Sequence, residues 1–465
     1  MTDAAVTARQ IRQGLLTPEE VLDEALQRIH ARNDLNAFVS GEGLTAIGKN
    51  QGLLAGVPVS IKDNLLMKGA LCRCGSRALE GYRAPYTATV VSNILAAGVS
   101  LVGRSNMDEF GMGSTTESSC FGPTLNPWRL GHVPGGSSGG AAASVAAGLT
   151  PIAIGSSTGG SLRQPASYCG VVGLKPTYGR LSRRGLVAYA SSLDVVGPIA
   201  ATVEDCSLAL RAMMGEDPLD SSQKPETDLI PLSGPVEEGA KDLRIGLISD
   251  ALSEGNHPDI NALVNHSAAL LESAGAFVEP CSLPDLDRSL AAYYVIATAE
   301  ASSNLARIDG LRFGPSTSAD TLDELYRRNR SQGFGREVKR RILMGTFCLS
   351  AGYAHAIYQR ALAQQARLQQ ELGQLFERYD ALVLPTTPDV APPLGAHTDP
   401  HQMMLSDIYT VLANLAGVPA ISIPCGLSRG LPVGVQLMAS QGQESLLLRL
   451  AKTLENRLEF PRCPN

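Results

Sequence analysis

The sequence predicts an α/β protein in which one buried sheet is covered by helices. Three observations carry that expectation: short apolar runs alternate with helical patterns, 465 residues can bury a large core, and 44% of the residues are hydrophobic against 18% charged. The first clear element is a helix, since TPEEVLDEALQRI, from Thr17, combines a capping-box pattern with Pro18 at the first helical position. Val21, Leu22, Ala25, Leu26 and Ile29 fall on its apolar face. GVPVSI (56–61) and VSLVG (99–103) read as strands, with TVVSNILAAG (89–98) as a helix between them. GGAAASVAAGL (139–149) reads as a helix and TPIAIG (150–155) as the strand after it. Residues 216–242 are polar and rich in proline, which predicts a surface linker. LRIGLIS (243–249) resumes the core, and about 258–379 reads as a mostly helical insertion. ALVLPTTP (381–388), AISIPC (420–425) and PVGVQLMA (432–439) return to strand character. The simplest organisation is a single domain over 1–465.

Composition removes several classes of function. The net charge of −6 gives no overall basic surface for nucleic acid, so any nucleic acid is expected to be held by a partner. Nine cysteines are scattered without paired CxxC spacing, which predicts reduced thiols and no metal site. MTDAAVTARQ lacks the apolar core of a secretory signal, and the weakly polar run Ala141–Gly155 is broken by Ser144 and Pro151. A cytoplasmic protein without a membrane span is expected. G-x-x-x-x-G-K-[ST] is absent, and no cofactor is expected in this chain.

Three polar stretches interrupt the apolar strands: SIKDN with Lys62, PGGSSGG with Ser137 and Ser138, and STGGSLRQP with Ser161. A lysine directly after GVPVSI is drawn inward by its strand, and burial disfavours its charged form, leaving a neutral base. Glycines beside a serine let the backbone approach a ligand and present amide protons to a developing oxyanion, a role open to Thr158, Gly159, Gly160 and Ser161. Gly-rich turns at helix starts are also often only turns. PGGSSGG satisfies G-x-S-x-G twice, centred on Ser137 or Ser138, so a histidine-dependent esterase is a rival. Of the seven histidines, His30 and His132 precede the motif, and none of His257, His266, His355, His397 and His401 sits in a strand-end setting suited to that role. Arg163 and Lys175 read either as anion binders or as braces of their loops.

Taken together, Lys62, Ser137 and Ser161, 75 and 24 residues apart along the chain, resemble the amidase signature family, whose catalytic trio is serine, cis-serine and lysine. GRSNMDEFGMGS (103–114), GLKPTYGRLSRRGLVAYASSLDVVGP (173–198), AEASSNLARIDG (299–310), GREVKRRILMGTF (335–347) and DIYTVLANLAGVPAISIPCG (407–426) extend the similarity over nearly the whole chain. They look like the branch of glutaminase subunits of heterotrimeric tRNA-dependent amidotransferases. The resemblance implies the amidase signature fold, a central mixed β-sheet with helices on both sides. It implies Ser161 as nucleophile, Ser137 as relay on a cis Gly136–Ser137 peptide, and Lys62 as base. Ser138 and Arg163 would support them. It also implies Arg341 for the α-carboxylate of glutamine, with Arg340 as the adjacent candidate, Asp407 for the α-ammonium, and Tyr293 nearby. The B-type and C-type subunits of the amidotransferase would be partners, with ATP and magnesium used by the B-type partner on misacylated tRNA. A free-standing amidase acting on another small amide is the alternative. One departure stands out: Ser157 occupies the position where the family usually has an aspartate that would brace the loop against Arg163.

Overall fold

Among the described residues, ten strands form one mixed sheet in the order β2-β1-β3-β5-β4-β9-β10-β8-β6-β7. They are β1 (Pro58–Lys62), β2 (Ser100–Ser105), β3 (Ile152–Ser157), β4 (Val172–Lys175), β5 (Val195–Ala200), β6 (Arg244–Ile248), β7 (Phe277–Cys281), β8 (Ala381–Pro385), β9 (Ala420–Ser428) and β10 (Leu431–Ala439). The computed structural model describes residues 3–39, 44–224, 236–237, 239–396 and 399–464. β1 pairs in parallel with β2 and β3, and β6 in parallel with β7 and β8, while the pairings from β3 to β8 through the middle are antiparallel.

Helices cover both faces, as alternation along the strands requires. On β8, Ala381 and Val383 enter the core beneath the helices Val203–Met213, Pro258–Ser273 and Glu444–Arg457, whereas Leu382 and Leu384 enter the opposite core under Leu286–Asn304 and Gln359–Arg378. The predicted first helix is Pro18–Ala31, and its capping box forms: Glu20 N donates to Thr17 Oγ1 at 3.2 Å and Thr17 N to Glu20 Oε2 at 2.8 Å.

Three strands escape the sequence pattern for physical reasons. β5 contains Gly197 and Pro198, yet lies inside the sheet between β3 and β4. β4 is only four residues long and ends in buried Lys175. β7 lies in the stretch predicted to be helical; Pro280 and a largely exposed surface suit it to the sheet edge it occupies. Of the predicted linker 216–242, residues 225–235 and 238 lie outside the described residues; before them, Asp217 accepts from Ser182 Oγ at 2.7 Å.

Candidate active site

Lys62 is the last residue of β1 and Ser157 the last of β3, so the polar stretches converge beyond the carboxyl ends of the parallel strands. The Gly136–Ser137 peptide is cis and leads into the helix Gly139–Ala146. Lys62 is fully buried, and its Nζ lies 2.8 Å from Ser137 Oγ, 2.8 Å from Ser138 Oγ and 3.2 Å from Ser156 O. Burial lowers its pKa to about 7, against the opposing pull of Asp108 and Asp194.

The proton inventory around this lysine is restrictive. Ser156 O can only accept, and Ser138 Oγ donates its proton to that carbonyl at 3.1 Å. A neutral amine then directs its two N–H groups at Ser156 O and Ser138 Oγ, leaving its lone pair for the Ser137 hydroxyl. Ser138 thus orients the amine, and Ser137 is the hydroxyl that can give it a proton.

After β3 the chain runs through Thr158, Gly159 and Gly160 to Ser161, which is 7% exposed. Among the described residues, the amides of Gly159, Gly160 and Ser161 have no hydrogen-bond acceptor and Ser161 Oγ has no partner. Unpaired amides at a buried turn are what an oxyanion requires. Thr158 Oγ1 donates to Asp194 Oδ1 at 2.5 Å, and Asp194 also accepts from the amides of Tyr189 and Ala190. Burial pushes the Asp194 carboxyl up to about 6.

Side chains from distant elements close over this loop. A Cβ on Gly159 would stand 2.8 Å from the Tyr293 ring, and one on Gly160 would run into Asp407 Oδ1 and Thr410 Oγ1. Asp407 Oδ2 accepts from Ser114 Oγ at 2.6 Å and from Tyr294 OH at 3.3 Å, whereas Oδ1 is buried without a partner. Burial raises this carboxyl to about 6, against the Ser114 hydrogen bond and the Arg341 charge. Arg341 Nε donates to Glu337 at 2.7 Å and Nη1 to Tyr189 OH at 2.7 Å, leaving Nη2 buried and unpartnered. Of the two adjacent arginines, Arg341 is the one turned inward, its side chain 3% exposed against 27% for Arg340.

Ser157 changes how the loop is braced. Its Oγ donates to Gly159 O at 2.9 Å, and Arg163 Nη2 donates to the same carbonyl at 2.6 Å. The guanidinium is completed by Asn414 Oδ1 at 2.7 Å and by Gln436 Oε1, all neutral oxygens, while Nε stays buried and unpartnered. Burial lowers the Arg163 pKa to about 9. Lys175 is likewise enclosed, donating to Pro176 O and Val418 O at 2.8 Å each, which makes it a brace of its loop.

The Amidase family model matches residues 21–448. The chain belongs to the amidase family. This amidase is 47% identical to the A-type subunit of the glutamyl-tRNA(Gln) amidotransferase of Halothermothrix orenii, over 97% of its own length and 96% of the relative's. The crystal structure of the corresponding protein from Thermotoga maritima superposes with a TM-score of 0.82 at 39% identity, covering 97% of this chain and 98% of that one. A 6-aminohexanoate cyclic dimer hydrolase aligns with a TM-score of 0.83 at 29% identity, covering 99% and 98%. In this amidase Ser137 and Ser138 meet a lysine, and among the described residues no histidine bonds to either. No cluster of three metal-ligating side chains and no helix long and apolar enough to cross a membrane occurs among the described residues. Asp108, Ser114, Tyr189, Asp194, Asn414 and Gln436 carry no separate signal in the sequence; the first five lie within stretches that carry the family resemblance, but their contacts reach across folded elements.

Proposed function

We propose that this amidase is the glutaminase subunit of a heterotrimeric tRNA-dependent amidotransferase, its residues 1–465 working as one domain. The carrying observation is a pair of buried, unpartnered atoms, Asp407 Oδ1 against Gly160 of the glycine loop and Arg341 Nη2, whose guanidinium lies near enough to act electrostatically on Asp407. A carboxylate and an ammonium on one substrate carbon would satisfy both, and glutamine brings those groups together with a side-chain carboxamide. A simple aliphatic amide would leave both atoms unpaired. Similarity to A-type subunits of glutamyl-tRNA(Gln) amidotransferases over nearly the full chain supports the same reading.

In this mechanism neutral Lys62 draws a proton through Ser137 from Ser161, whose Oγ attacks the carboxamide carbon. The amides of Gly159, Gly160 and Ser161 hold the resulting oxyanion. The C–N bond breaks as the proton returns through Ser137 to the leaving nitrogen, giving ammonia and a glutamyl ester on Ser161. Water then adds to the ester and releases glutamate. Ammonia passes to the B-type partner, which uses ATP and magnesium to convert Glu-tRNA(Gln) to Gln-tRNA(Gln), or Asp-tRNA(Asn) to Asn-tRNA(Asn), with the C-type partner completing the complex in the cytoplasm.

The test is ammonia release from glutamine by the chain co-expressed with candidate B-type and C-type partners. Ser161→Ala is expected to reduce release by roughly 10³-fold or more while the complex stays assembled. Undiminished release would remove Ser161 from the chemistry. Release from another small amide but not from glutamine, without complex formation, would favour a free-standing amidase.

A further inference from the structure

We propose that Glu109 is a positioning residue for the α-carboxylate of the substrate, setting Arg341 by holding the start of the helix Arg336–Leu349. The inference rests on the glutaminase reading above for the identity of that substrate. Glu109 is 2% exposed and lies far from Arg341 in sequence. Its carboxylate accepts from Gly335 N at 2.8 Å through Oε2 and 3.1 Å through Oε1, and from Ser76 Oγ at 2.5 Å. Gly335 is the residue that opens the helix, which has no side-chain cap of its own. A negative group there complements the exposed amides and the helix dipole.

The fit is close on both sides. A Cβ on Gly335 would run into Glu109 Oε2, so a side chain there pushes the carboxylate off the Gly335 amide. Phe110 packs edge-on against Phe334, with ring centroids 5.6 Å apart, pinning the approach to the helix from the same short segment. Arg341 follows six residues after Gly335, about 9 Å along a rigid helix, so a shift at the start is carried to its guanidinium. Burial raises the Glu109 carboxyl to about 7, opposed by Ser76, Gly335 and Lys339.

The segment that carries Glu109 reaches the site at three places. Asp108 N donates to Ser137 O at 3.2 Å on the catalytic side, and Ser114 Oγ holds Asp407 at 2.6 Å on the ammonium side. Glu109 supplies the third tie, to the carboxylate side. One stretch thereby keeps the two substrate-binding charges in register with the serines, the tolerance a near-attack geometry demands.

The experiment compares wild type, Glu109→Gln and Gly335→Ala in the co-expressed complex, with glutamine and with 4-aminobutanamide, which is glutamine without its α-carboxylate. Both variants are expected to raise KM for glutamine roughly tenfold, the factor of one charge-assisted hydrogen bond, with kcat little changed. Their kcat/KM for 4-aminobutanamide is expected to stay within about twofold of wild type. Equal losses on both substrates, or an unchanged KM for glutamine, would overturn the proposal. If the wild-type complex releases no ammonia from glutamine, the functional reading has failed, and hydrogen exchange decides this one separately. Faster amide exchange over residues 335–341 in Glu109→Gln would uphold the tie, and unchanged exchange would overturn it.

Discussion

Lys62 is held at the end of β1 by three oxygens, none of them a carboxylate, and that environment dictates its pH behaviour. With its pKa lowered to about 7 by burial, it becomes a neutral base as pH rises through that value. Asp407, raised to about 6 by burial, must lose its proton to meet an ammonium. Both groups act deprotonated, so kcat/KM for glutamine is expected to fall gently from pH about 7 to about 6 and more steeply below, with a plateau above. A profile flat through pH about 7 would exclude Lys62 as the base. Ser157 makes the second prediction. Its Oγ and Arg163 Nη2 share the Gly159 carbonyl, and Arg163 Nε lies buried without a partner, so a carboxylate at this position would face a guanidinium that now has only neutral acceptors. Ser157→Asp is expected to keep the fold and to leave ammonia release at or above the wild-type rate, as read by circular dichroism and a steady-state assay. A loss beyond about tenfold would show that the loop has been rebuilt around serine.

The loop after β3 makes the case at the level of elements. Gly160 faces Asp407 and Thr410 so closely that any side chain there displaces the Asp407 carboxylate, the group proposed to bind the substrate ammonium. Gly160→Ala is therefore expected to raise KM for glutamine by more than about tenfold while the melting temperature changes little; an unchanged KM would mean that Asp407 does not bind substrate. The loop itself was legible in the sequence, because glycines beside a serine at a strand end have a direct chemical reading. So were β1, β3, β8, β9 and β10, whose apolar runs are bounded by turn residues, and the helix Pro18–Ala31 with its capping box. β5 and β7 were not, because Pro198 and Pro280 argue against strand in a local window, and only pairing with β3 and β6 overrides that preference. The braces were hidden for a related reason. Asp194, Asn414 and Gln436 are ordinary polar residues in sequence, and their roles exist only where elements cross.

At the scale of the molecule, the order of strands determines how the chain must unfold. β9 and β10 come from the last part of the sequence but sit in the middle of the sheet, between β4 and β8. β4 pairs with β9 through Gly173↔Ser422, Leu174↔Ile421 and Lys175↔Ala420. The buried Lys175 amine reaches Val418 O, Arg180 pairs with Glu444 at 2.6 Å, and Arg163 leans on Asn414 and Gln436. Through Arg163 the loop after β3 therefore depends on Asn414 and Gln436, 251 and 273 residues further along the chain. Neither half can satisfy its buried polar and charged groups alone, and leaving them unpaired costs several kcal/mol each. Calorimetry is expected to show one cooperative transition for residues 1–465, and a fragment ending near residue 215 is expected to lack fixed tertiary structure by near-ultraviolet circular dichroism. Two separable transitions, or a fragment with a native-like near-ultraviolet spectrum, would show that the polar stretch 216–242 divides two independent units and that the interleaved strands add less stability than their buried contacts indicate.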